Sequence, residues 1–162
     1  VIVAPSVTTP PKFKTMFSLF SKKRHPAAKL YEHYSEDEKL TILAILFLAG
    51  TCDNNLTSSS QQDEELYLLN QFVDIFEVNA SRSQELLNSV GPENLLIRLK
   101  AFENSKIDFV LIMIMGMLQC DGSLNQEEVN FMVTVLDRLD ISLEDFTKKM
   151  EMNKKMYDFF MK

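Results

Sequence analysis

The sequence predicts an all-α protein, a compact bundle of about 7–9 helices built from two pseudo-twofold-related repeats. Three observations carry this. Neither sustained period-2 alternation nor an Asn-Gly hairpin turn marks a strand. Helix-start signals recur: a Ser or Asn is followed three residues later by an acidic or amide side chain. Two stretches also match each other at a fixed offset, the mark of a duplicated helical unit.

The elements follow in order. Residues 1–34 read as a basic N-terminal arm, flexible in part and with short helices. Within it, Val1–Thr15 holds Pro5, Pro10 and Pro11 with no helical period. Ser35-Glu36-Asp37-Glu38 has the capping-box form and opens a helix from Lys39 to about Thr51. Ser59 or Ser60 caps a second helix to about Glu77, with Leu66, Leu69, Val73 and Phe76 as one apolar stripe. Ser81 with Gln84 opens a short helix. Gly91-Pro92 then breaks the chain, and Pro92 suits the first turn of a helix to about Glu103. Ser105 with Asp108 starts the Lys106–Gln119 helix. Asn125 with Glu128 starts one that carries Val129, Met132, Val133 and Leu136, and Ser142 with Asp145 starts the next. A C-terminal amphipathic helix, about 150–162, places Met152, Met156, Phe159 and Phe160 on one side. The apolar runs Ile42–Gly50 and Phe109–Leu118 are half the roughly 20 residues that cross a bilayer, so both read as buried helices.

The repeat is read residue by residue. Ile45–Asp53 aligns with Met113–Asp121 at an offset of 68, and Leu56 with Leu124 at the same offset. Glu64-Glu65-Leu66 aligns with Glu127-Glu128-Val129 at an offset of 63, as does Asp74–Asn79 with Asp137–Ser142. The first copy therefore has five extra residues, within Ser58–Asp63. Repeat 1 spans about 36–90 and repeat 2 about 104–150, inside one helical domain, 35–162. Such a pair predicts that Lys39–Thr51 and Lys106–Gln119 lie side by side in the core.

Composition narrows the function. Apolar residues are 46% and charged residues 25%, which excludes a wholly disordered chain. Two Cys make no disulfide framework and point to a reduced, cytoplasmic setting. Two His, at 25 and 33, leave the body without a His-rich zinc site. Charge is split along the chain. Residues 1–34 carry six basic side chains against Glu32 alone, a net of +5, and residues 35–162 carry 11 basic and 22 acidic, a net of −11. The acidic body repels nucleic acid and attracts cations or a basic partner. The sequence lacks a nucleophile elbow, a phosphate-cradling Gly loop and a zinc-protease motif, so no enzyme is expected.

The loop Cys120-Asp121-Gly122-Ser123-Leu124-Asn125-Gln126-Glu127-Glu128 invites a calcium reading. Asp121, Gly122, Leu124 and Glu128 fit positions 5, 6, 8 and 12 of an EF-hand loop. Positions 1 and 3 fall on Met117 and Gln119, which supply no pair of carboxylates, so a true EF-hand is rejected. Two readings stay open. In the structural one, Gly122 takes a left-handed conformation, Asp121 bonds turn N–H groups, Asn125 caps the next helix and Leu124 plugs the turn into the core. In the other, Asp121 with Glu127 or Glu128 forms a weak Ca²⁺ or Mg²⁺ site, supported by Asp53 with Glu64 or Glu65 and completed by water or a partner. Cys52 and Cys120 hold equivalent positions and read as small buried residues at helix ends. In the arm, Phe17 and Phe20 beside Lys22, Lys23 and Arg24 form an apolar and basic patch. It suits an anionic membrane surface, or folds back on the body.

The duplicated helix–Asp–(Gly)–x–Leu–x–helix unit resembles the tellurite-resistance TerB-like family. The resemblance rests on Met115–Glu128 followed by Leu136–Ser142, and it covers about residues 36–150. It implies an all-α domain with pseudo-twofold symmetry and no catalytic centre. It further implies an acidic surface that takes divalent cations, and association with stress-response or membrane-linked complexes. Asp121 and Glu128 carry over best by motif position, Asp53 and Glu65 less well, because Asn54 stands where the pattern has Gly. The expected function is a non-enzymatic interaction or scaffold module with a protein partner. No cofactor is required, and a divalent cation binds weakly at most. The alternative is a membrane-surface adaptor that acts through the N-terminal segment.

Overall fold

The computed structural model describes residues 23–53, 59–152 and 154, with backbone alone at 59–63, and every element among them is helical. A 3-10 helix, Pro26–Tyr31, precedes α1 (Glu36–Thr51), α2 (Ser59–Phe76), α3 (Ala80–Lys100), α4 (Asn104–Leu118), α5 (Gln126–Arg138) and α6 (Leu143–Met152).

Capping chemistry sets most of the helix starts. Ser35 Oγ accepts from the Glu38 N–H at 3.1 Å, and Glu38 Oε2 accepts from the Ser35 N–H at 2.9 Å. Asn125 and Glu128 repeat this exchange at 2.9 and 2.8 Å. Ser142 Oγ accepts from the Asp145 N–H at 3.1 Å. Each exchange satisfies backbone donors that a helix start otherwise leaves open. α3 is two helices joined at Gly91, whose φ of 77° and ψ of 164° interrupt the ladder just before Pro92. Two starts differ from the spacing. Asn79, not Ser81, caps α3, its Oδ1 accepting from the Ser81 N–H at 2.8 Å. α4 begins ahead of Ser105, because the Glu103 carbonyl already accepts from Lys106 and Ile107.

The core forms around α1 and α4, which pack against each other and are apolar on nearly every side. α1 also packs on α2 and α3, and α4 on α2 and α5. Leu43, Ile45, Leu46, Leu95, Leu99, Ile114 and Met117 are fully enclosed. Each such side chain contributes roughly 1.5–3 kcal/mol relative to exposure. The two central helices run in the same direction. Glu38 meets Lys106 near their N-termini, and a β-carbon at Gly50 would lie 3.1 Å from Met117 Cε near their C-termini.

Several side chains sit differently from their sequence reading. Ala28, Tyr31 and Tyr34 enter the core, and the Tyr31 ring meets Phe76 edge-on at 5.1 Å. The folded body therefore begins ahead of residue 35, because aromatic burial ties this charged stretch down. On α2 the inward stripe is Leu69, Phe72, Ile75 and Phe76, with Leu66 exposed. On α5 it is Glu128, Met132, Val135 and Leu136, and Val129 and Val133 face outward. Glu128 takes the first inner position because the capping box satisfies its carboxylate there. α6 runs through Met150 as one helix with Phe146 buried, and Lys149 Nζ donates to Asp108 Oδ1 at 2.7 Å. Met156, Phe159 and Phe160 lie outside the described residues. Among those residues, no helix is long and apolar enough to cross a membrane.

Candidate functional site

Asp53, just past the end of α1, meets the acidic loop that follows α4. Cys52 caps α1, its N–H donating to the Ala49 carbonyl, and Asp53 follows it. In the second loop, Gly122 adopts a φ of 90°, a region that L side chains disfavour. Asp121 Oδ1 accepts from the Ser123 N–H at 3.0 Å, and the Gly122 N–H donates to the Gln119 carbonyl at 2.9 Å. Leu124 is 40% exposed and does not plug the turn into the core, since hydrogen bonds rather than an apolar anchor hold it.

Asn125 joins this loop to Asp53. Its Oδ1 caps α5, and its Nδ2 donates to Asp53 Oδ2 at 3.0 Å, across 72 residues of sequence. Behind it, Glu128 is 3% exposed. Burial raises the Glu128 carboxyl above its ordinary range, the Asn125 N–H opposes this, and Asp121, Asp53 and Glu127 add to the rise. Glu65, on α2, is pushed up to about 7 by burial and then by Asp53, Glu128 and Asp121. The structure thus brings Asp53, Glu65, Asp121 and Glu128 into one field of negative charge. Glu64 and Glu127 are exposed and act on it as neighbouring charges.

The cysteines sit in the same field, half-buried and with free thiols. Burial and then the surrounding carboxylates push both up to about 12. A thiol held protonated in this way is a poor nucleophile. Among the described residues, no three His, Cys, Asp or Glu side chains close on a common point as a metal-ligand set. What the arrangement offers is negative potential around partly buried carboxylates.

The basic patch is divided. Phe17, Phe20 and Lys22 lie outside the described residues, and Lys23 is exposed. Arg24 turns onto its own body. Its Nε and Nη2 donate to the two Glu77 carboxylate oxygens at 2.8 and 3.0 Å, and its Nη1 donates to Glu32 Oε1 at 2.6 Å. Neither the Arg24–Glu77 contact nor the Asn125–Asp53 link has a signal in local spacing, because each pairs residues distant in sequence.

Compared with protein-family models, with curated proteins and with solved structures, the chain has no match.

Proposed function

We propose that this chain is a duplicated, TerB-like helical module that works without catalysis, as a cytoplasmic binding partner for another protein. Its acidic loop end takes up a divalent cation, Ca²⁺ or Mg²⁺, or a basic group of the partner. The observation that carries this reading is the Asn125–Asp53 hydrogen bond, which holds Asp53 against the loop after α4 while Glu65 and Glu128 keep raised proton affinities. Carboxylates that raise one another's pKa gain most from an added positive charge.

Three correspondences support the duplication. Ser35 and Glu103 are the N-caps of α1 and α4, at the offset of 68 found in the sequence. Glu77 and Asp140, at the offset of 63, both take a left-handed backbone, with φ of 55° and 56°. Each of these two carboxylates is paired with a cation, Glu77 with Arg24 and Asp140 with Lys100.

The test is calorimetric titration of the chelator-treated chain with Ca²⁺, Mg²⁺, Mn²⁺ and Zn²⁺, beside a Glu65→Gln/Asp121→Asn variant that leaves the capping box intact. The expected result is saturable binding at roughly 10⁻⁴–10⁻³ M that the variant loses. Absence of heat at those concentrations would reduce the loops to turn and cap chemistry. A second reading, a membrane-surface adaptor, draws on the +5 arm set against the −11 body. Flotation with anionic liposomes tests it.

A further inference from the structure

We draw no further inference here: the strongest candidate, the outward flank of α5 that carries the exposed Val129 and Val133, is an unpartnered apolar face, and nothing in the structure shows what covers it.

Discussion

Lys106 Nζ donates to both carboxylate oxygens of Glu38, each at 2.9 Å, and the two residues stand 68 positions apart, the offset at which the two apolar helices align. They stand near the N-termini of α1 and α4, which run side by side in the same direction. Their side chains are only 10% and 21% exposed, and the ammonium also lies 4.9 Å from the centre of the Tyr34 ring. The pair thus ties α1, α4 and the pre-helix aromatic segment at one point.

Removing one partner of a shielded pair costs more than the pair itself contributes, because the other charge is left behind. Lys106→Ala is expected to destabilise the fold by about 2–3 kcal/mol in urea unfolding. The double variant Glu38→Gln/Lys106→Met should recover part of that loss. Strict additivity of the two single changes would show that the residues do not act as a pair.

The same pair sets an acid limit. Burial pushes the Glu38 carboxyl up, but hydrogen bonds from Lys106 and the Ser35 N–H outweigh this and hold it below the ordinary 4.5. A carboxyl lowered by folding stabilises above its unfolded pKa and loses that contribution as pH falls through the folded value. The difference in stability between wild type and Glu38→Gln should therefore shrink as pH falls below about 4.5. A difference that is constant from neutral pH to pH 3 would contradict the assignment.

Glu65 works with the opposite sign. Its carboxyl rises to about 7 in the folded chain, so between 4.5 and 7 the folded state binds more protons than the unfolded one. Its charge destabilises the fold fully above pH 7 and not at all below 4.5. Glu65→Gln is expected to stabilise at pH 8 by about 1 kcal/mol, solvent screening reducing the full linkage value. At pH 4.5 it should be nearly neutral. Denaturant titrations at the two pH values check this.

Gly91 tests the break in α3. A β-carbon there would meet nothing within 4 Å, so the cost of Gly91→Ala is conformational alone. A residue forced into that region costs about 1–3 kcal/mol, and Gly91→Ala should lose that much in thermal or urea unfolding. A neutral outcome would mean that the kink relaxes into continuous helix.

Much of this architecture is legible locally. The Ser35–Glu38 and Asn125–Glu128 boxes, the Gly91-Pro92 break and the two apolar runs each act through near neighbours, and spacing reports them. The inner face of α5 is not legible in that way. Hydrophobicity favours Val129 and Val133, yet Glu128 lies inside, where its capping bond to the Asn125 N–H offsets burial and the repulsion of Asp121 and Asp53. The acidic residues of the candidate site are visible as a pattern, but their mutual action comes from tertiary packing that brings Asp53, Glu65, Asp121 and Glu128 near one another. Arg24 is equally silent in sequence, since Glu77 and Glu32 come to it only after α2 and the 3-10 helix have packed.

The most direct test of the central claim is an NMR titration of the Glu65 side-chain carboxyl, carried out in chelator and again in saturating Mg²⁺ or Ca²⁺. The midpoint is expected near 7 in chelator and falls when the cation is added. A midpoint near 4.5, unmoved by metal, would contradict the proposed cation site, because Asp53, Glu65, Asp121 and Glu128 would then not share one field of charge.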